Sequence, residues 1–393
     1  MSLKRFDRND NASGVTKMRI NSIAFHKDFT PTPGNHKNNQ KFLRGGPGGA
    51  VFTKRVPPGR NFITGMFILF VLCTSVVFAG KIVPLPGHLH PDSVYADGDQ
   101  IYITEETSIY IYGREDFKLR KKFGREGEGP QEFKGFASLY VYPDYLLVNS
   151  TGRISFFTRR GEFIKQVNLP FSAYNVGVVG KAFVSHARID ENNIYYQTIN
   201  IFDAKFKKIK EIARIEAAFQ RSKGVWRQFP VTFGFYPYKD KIFVIGHKDF
   251  IIGVFDENGD KLFDITQKYE RLKVPEEEKK AVLDWFKINP GTRNMPSSIK
   301  KMIRFSDYFS AIRDMVINNE KLYVRTYKKS GEKTEFFILD SKGKLLEKVF
   351  IPIYERNRRN YYSYSICDGK VYQLIENEDT EEWELHIVPF ERF

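Results

Sequence analysis

From residue 100 to residue 388 short apolar runs alternate with polar positions, and the runs are separated by turn signals. Alternation with a period of two predicts half-buried β-strands rather than helices. Six runs share one form: Gln100–Ile103, Tyr145–Val148, Lys181–Val184, Lys241–Val244, Lys321–Val324 and Lys370–Gln373. Each follows a turn signal, in order Asp97-Gly98, Pro143-Asp144, Val179-Gly180, Lys239-Asp240, Asn318-Asn319 and Asp368-Gly369. A second run follows each, at Ser108–Tyr112, Arg153–Phe157, Ile194–Tyr196, Ile251–Phe255, Phe336–Leu339 and Leu385–Val388. Several then turn into a third run. Asp256-Glu257-Asn258-Gly259-Asp260-Lys261-Leu262 and Asp340-Ser341-Lys342-Gly343-Lys344-Leu345 are near-copies, and Arg159-Arg160-Gly161-Glu162-Phe163 is a looser one. Glycine supplies the positive φ that such turns require.

Four short antiparallel strands per unit, repeated radially, make a propeller blade. Six units predict an all-β six-bladed β-propeller over residues 81–393, with a short helical insertion and one hydrophobic helix ahead of it. The first runs are spaced 45, 36, 60, 80 and 49 residues apart. The longest interval holds an insertion over residues 266–308. In it Pro275, the acids Glu276, Glu277 and Glu278, and apolar Val282, Leu283 and Phe286 predict a short amphipathic helix. Such an insertion either belongs to the working face or caps a blade edge. The last unit offers three strands, Tyr361–Ile366, Lys370–Glu376 and Trp383–Pro389. Lys81–Leu85 is the candidate for the fourth, which would join the two ends of the ring and cover an edge.

Charge changes the picture at the N-terminus. The net charge is +15, yet residues 1–60 hold 12 Lys/Arg against 3 Asp/Glu, whereas residues 81–393 hold 50 against 44. Residues 1–60 are polar, without period, and read as a disordered basic segment, or as a stretch ahead of the true start of translation. A nucleic-acid partner is not expected, because its charge would be concentrated on the folded domain. Residues 61–80 carry no charge and are long enough to cross a bilayer as a helix, and Lys54, Arg55 and Arg60 ahead of them orient the N-terminus to the cytoplasm. Two readings stand: a retained transmembrane anchor, or a signal peptide cut after Ala79 so that Gly80 leads the mature chain. Either puts the propeller outside the cytoplasm, at the cell envelope. Of the two cysteines, Cys73 lies in the apolar segment, with Leu72 where a lipidation site wants a small residue, and Cys367 reads as a core residue.

Gly124-Arg125-Glu126-Gly127-Glu128-Gly129-Pro130-Gln131-Glu132-Phe133 lies between the first two units. It resembles the G-x-x-G-x-G-P-x-E-F signature of bacterial six-bladed β-propellers related to NHL-repeat propellers, and Phe305–Ile312 resembles the same family. The likeness spans residues 85–393 and implies the fold and an exported protein. It implies no chemistry, and Gln131 stands where glycine is common. Gly124, Gly127, Gly129, Pro130, Glu132 and Phe133 are therefore read as a structural inter-blade crossover. A phosphate loop would need a helix directly after the glycines, and here Pro130 and strands follow.

No residue pattern marks a catalytic centre, a cofactor or a metal. His88-Leu89-His90 is the one close histidine pair; it reads as a solvated link, with a weak metal site as the sharper alternative. His386 sits in a strand and reads as structural. Calcium-dependent lactonases use related propellers with Glu, Asn and Asp converging on the channel, which makes Asn149, Asn193 and Asp314 candidates. The run Tyr354–Tyr362 interleaves arginine and tyrosine, which is either a recognition surface or a solvated loop. The leading expectation is a non-catalytic binding or scaffold propeller of the cell envelope that takes a protein, peptide or glycan and touches a membrane through residues 61–80 if these are kept. A channel-site hydrolase or lactonase and a sensor ectodomain are the alternatives.

Overall fold

The computed structural model describes residues 80–393, apart from 171–174, 356–361 and 391–393. Six four-stranded antiparallel sheets follow one another along the chain. All six first runs fall in strands: Gln100–Glu105, Tyr145–Ser150, Ala182–Glu191, Lys241–Ile245, Lys321–Ser330 and Lys370–Glu376. They are the second strands of their sheets, not the first. A short strand precedes each: Ser93–Asp97, Ser138–Val141, Val176–Val179, Gly234–Tyr238, Asp314–Asn318 and Tyr364–Cys367. The last of these corrects the expected Tyr361–Ile366.

The apolar face of every sheet packs on its neighbour. Separate core clusters lie between the first and second sheets (Tyr102, Phe123, Phe133, Leu146) and the second and third (Leu147, Ile154, Val176). Others join the third and fourth (Val184, Ile199, Phe235, Val244), the fourth and fifth (Phe243, Phe250, Ile312, Phe337), and the fifth and sixth (Phe336, Ile351, Ile366). A sixth joins the sixth sheet back to the first through Ile101, Ile103, Tyr372 and Leu385. This succession of four-stranded sheets packed face to face is a propeller-like all-β fold.

The strand Lys81–Pro84 is the outer strand of the sixth sheet. It pairs antiparallel with Trp383–Pro389, Lys81 opposite Ile387 and Pro84 opposite Glu384. Leu85 follows, buried, with its N–H on the Trp383 carbonyl at 2.9 Å. Because each sheet runs inner to outer in antiparallel steps, the turns between inner and second strands lie at one end of the sheets, and the outer-to-inner crossovers lie at the other. Gly80 is at the turn end. So is Phe390, whose N–H reaches the Gly369 carbonyl at 3.2 Å.

The long crossover contains the expected helix, α1 (Glu276–Ile288), entered from Pro275 with Glu276, Glu277 and Glu278 in its first turn. Val282 and Phe286 are buried, but Leu283 is 41% exposed, contrary to expectation. The buried stripe follows i and i+4, and position 283 is turned about 100° away from it. Two single-turn helices, α2 (Pro290–Arg293) and α3 (Ser297–Lys300), lead to the strand Ile303–Phe305. That strand pairs in parallel with Val225–Gln228, which pairs antiparallel with Phe219–Gln220. Two crossovers thus build one small sheet, packed on α1 through Trp226 against Phe286, ring centroids 5.1 Å apart. No helix among the described residues is long and apolar enough to cross a membrane. Residues 61–79, where the sequence places the hydrophobic helix, and the basic segment 1–60 lie outside them.

Candidate functional site

At the turn end, two-residue turns join inner to second strands at 98–99, 319–320 and 368–369, with Asp97 opposite Gln100, Asn318 opposite Lys321 and Cys367 opposite Lys370. Gly98, Asn319, Glu320, Asp368 and Gly369 all have positive φ, as such hairpins demand. These turns converge around a cavity of about 590 Å³ lined by Asp97, Gly98, Asp99, Gln100, Pro143, Arg159, Arg160, Asn319 and Asp368. Four of the six sheets contribute. A second cavity of about 420 Å³ shares Asp99, Gln100 and Arg160 and extends toward Gly113, Arg114 and Lys121.

The mouth is cross-tied. Arg159 Nη1 donates to Asp97 Oδ2 at 2.6 Å and to the Tyr142 carbonyl at 2.9 Å, and the guanidinium lies 5.3 Å over the Tyr102 ring. Asn318 Nδ2 approaches Asp97 Oδ1 at 3.5 Å, joining the fifth sheet to the first. Asn319 Nδ2 donates to Asp368 Oδ1 at 3.1 Å, and Arg114 Nη1 to Asp368 Oδ2 at 2.5 Å. The bond from Arg114 holds the Asp368 carboxyl below the usual carboxylate range. Behind it burial pushes the Cys367 thiol up to about 11, so it stays protonated. The lining offers guanidinium, carboxylate and amide groups and no hydroxyl, thiol or imidazole. It can hold a polar ligand by paired donors and acceptors, but it has no side chain suited to act as a Ser, Thr, Cys or His nucleophile.

At the crossover end, Glu355 gathers three cations. Arg313 Nη1 donates to Glu355 Oε1 at 2.5 Å, Arg325 donates to the same oxygen, and Lys329 Nζ reaches Oε2 at 2.8 Å. Arg325 is fully buried, approaches Asp314 at 3.4 Å and lies 5.4 Å over the Tyr364 ring, whose hydroxyl donates to Asp314. Burial alone would raise the Glu355 carboxyl, but Arg313 and Arg325 outweigh it and hold it low. Desolvated charges paired this closely fix the start of two inner strands.

The residues singled out in the sequence go to different places. The Gly124–Phe133 segment runs from the outer strand of the first sheet to the inner strand of the second. Phe133 is fully buried against Phe123 and Phe157, and Glu132 accepts from the Gly129 N–H at 2.7 Å and from Arg125 at 2.8 Å. These bonds hold the Glu132 carboxyl below its ordinary value, that from Gly129 most of all. Gly127 donates to the Phe133 carbonyl at 3.1 Å and Pro130 lies in the tight turn between them. Gly124 has φ +85°, so this position favours glycine.

Asn149, Asn193 and Asp314 are not brought to one site. Asn149 is buried and bonds both ways with the Val176 backbone at 3.0 Å, Asn193 sits in a hairpin turn, and Asp314 belongs to the arginine cluster. His88 is not a solvated link: it is 5% exposed, with Nδ1 3.0 Å from Glu105 Oε2 and Nε2 2.8 Å from Tyr112. Its partner lies 17 residues on, which a local reading does not reach. His90 gives its backbone N–H to Glu105 Oε1 at 2.8 Å, and both ring nitrogens of His88 are already engaged by Glu105 and Tyr112. His386 lies 2.7 Å from Glu384 within its strand. Among the described residues no cluster of three His, Cys, Asp or Glu could hold a metal. Of the aromatic-basic run, residues 356–361 lie outside the described residues, as does Ala79. Gly80 directly precedes the closing strand.

The mouth residues Arg159, Asn319 and Asp368 do not stand out as a site in the sequence. The turn signals that define the repeat are the same positions, and only their convergence was hidden.

No protein-family model matches the chain, and no curated protein is similar to it in sequence. Solved structures align with it at low identity. A Bacteroides fragilis protein described as exported is 11% identical with a TM-score of 0.48, over 80% of this chain and 95% of the other. A DUF4221 family member from Bacteroides vulgatus is 13% identical with a TM-score of 0.41, over 80% and 96%. BamB from Moraxella catarrhalis is 10% identical with a TM-score of 0.28, over 75% and 71%.

Proposed function

We propose that the chain is a non-catalytic binding protein of the cell envelope: a closed six-bladed β-propeller, held outside the cytoplasm, that takes a polar ligand, peptide or glycan, at the turn-end mouth. Six sheets, six cores between successive sheets including the sixth and first, and the Lys81–Pro84 strand support the closed ring. The cavity of about 590 Å³ is the observation that carries the binding role, because its lining comes from four sheets and presents paired donors and acceptors, with Arg159 and Arg114 holding Asp97 and Asp368. The basic-apolar-small pattern from Lys54 to Gly80 supports export.

Two measurements test this. Mass spectrometry of the mature N-terminus separates the fates of residues 61–80: a start at Gly80 means a released protein, and retention of Arg60 means an anchored one. A full-length chain recovered from the cytosol contradicts export. A thermal-shift screen with short peptides and neutral oligosaccharides should find a ligand that raises the melting temperature of the native protein but not of Arg160→Ala. A ligand that stabilises both equally does not occupy this mouth.

A further inference from the structure

Residues 217–233 carry 3 basic side chains and no acid, and residues 285–306 carry 5 and no acid. Their combined +8 exceeds the +6 of residues 81–393, so the remainder of the domain is net negative. These two segments come from different crossovers, and the fold joins them through the parallel pair Val225–Gln228 and Ile303–Phe305. In that register Arg227 lies directly opposite Arg304, and both are exposed. Like charges opposite each other on neighbouring strands are destabilising, so this pair costs the fold some stability.

Of the eight cations, Lys223 pairs with Glu216 and Lys287 with Asp284. The other six have no carboxylate partner among the described residues. Arg304 Nη1 rests on the carbonyls of Lys301 and Ile303 at 2.8 and 2.9 Å, and Lys300 Nζ on that of Arg293 at 3.1 Å. Carbonyls orient these groups without neutralising them. The apolar side of the same small sheet is used up: Trp226 packs on Phe286, and Gln228 is buried. The outward side is left to the arginines.

We propose that this two-crossover module is a docking surface for an acidic polysaccharide bearing carboxylate or sulfate groups. A forked guanidinium matches a two-oxygen anion, and several such groups spread over a strand and helix surface match a polymer of repeated charge better than one small anion. A phospholipid surface fits less well. Among the described residues of the two segments Ile288, 70% exposed at the end of α1, is the one large exposed apolar side chain, and a single side chain outside the arginine strands is less than the apolar face that interfacial anchoring needs. The module also lies at the crossover end, whereas Gly80, where the export segment joins, lies at the turn end. That last argument rests on the export reading above.

The test uses the full-length protein on immobilised polygalacturonate and dextran sulfate, with uncharged dextran as control and vesicles of phosphatidylglycerol in phosphatidylcholine as the lipid arm. Binding to an acidic polymer and not to dextran is expected, weakening steeply with salt. Arg227→Gln combined with Arg304→Gln should weaken it by about ten-fold or more. The melting temperature of that variant should be unchanged or higher, because the like-charge contact is relieved. Absence of preference over dextran, tighter binding to the vesicles, an unaffected double variant or a lowered melting temperature would each overturn the proposal. These readouts are independent of the mature N-terminus, which tests export alone.

Discussion

Lys81 lies opposite Ile387, so the first described strand completes the last sheet. Residues that begin the domain therefore hold its end. The fit is close: a Cβ on Gly80 would stand 3.1 Å from Val388 Cγ2 and 3.2 Å from the Ile387 carbonyl. The strand also covers the edge that Trp383–Pro389 would otherwise expose.

Deleting Lys81–Leu85 should lower the melting temperature markedly. The loss comprises the ladder bonds and the burial of Leu85, together about 5 kcal/mol, or roughly 10 °C for a domain of this size. An unchanged melt in differential scanning calorimetry would show that the ring does not depend on this strand.

Glu105 clips the link that follows the strand. It accepts from Leu89 and His90 N–H at 2.6 and 2.8 Å and meets His88 at 3.0 Å. Burial alone would raise its carboxyl, but the His88 bond and the two backbone bonds lower it from 4.5 to about 2. A folded-state value below the unfolded one contributes stability that is full above about 4.5 and lost as pH falls toward about 2. Glu105→Gln should therefore flatten the dependence of melting temperature on pH in that window, and a variant with the native slope would exclude this network as its source.

The near-copied turns make a separate test. Asp256 Oδ1 accepts from the N–H groups of Asn258 and Asp260, and Asp340 Oδ1 from those of Lys342 and Lys344, all at 2.8–2.9 Å. Gly343 has φ +89°, and a Cβ there would stand 2.7 Å from Ile265 Cγ1 in the preceding sheet. Gly343→Ala should cost about 1–3 kcal/mol in urea unfolding, whereas Gly331→Ala, with φ +58° and nothing within 4 Å, should cost less. Equal losses would remove the packing part of the argument.

Much of the strand pattern was legible because second and third strands alternate cleanly and start at recognisable turns. Apart from that of the last sheet, placed at Tyr361–Ile366 and found at Tyr364–Cys367, the inner strands were not, for physical reasons. Ser138–Val141 is four residues long, and Gly234–Tyr238 contains Gly234 and Pro237, which read as breakers. A further copy of the Asp turn lacks the glycine that marks the others: Asp203 Oδ1 accepts from Lys205 and Lys207 N–H at 2.8 and 2.9 Å. There Phe206, at φ +60°, stands where the other copies have glycine. The mouth was legible turn by turn but not as a site, since Asp97 and Asn318 are 221 residues apart. Glu355 lies in the aromatic-basic run but reads there as part of a surface or solvated loop, and Arg325 gives no signal, because only tertiary packing makes a buried pair of them.

Removing the carboxylate from that pair should be severe. Glu355→Ala leaves Arg313 and the fully buried Arg325 facing each other without their shared counter-charge. A loss of about 3–5 kcal/mol is expected in chemical denaturation. A loss below about 1 kcal/mol, the range of exposed ion pairs, would mean that Glu355 is solvated in solution.

Native-state amide hydrogen exchange along Trp383–Pro389 tests the closed ring most directly. If Lys81–Pro84 completes the sixth sheet, these amides should exchange as slowly as those of Lys333–Asp340, the interior third strand of the fifth sheet. Exchange as fast as in Leu345–Pro352, the outer strand of that sheet, would show Trp383–Pro389 to be an open edge and would contradict closure.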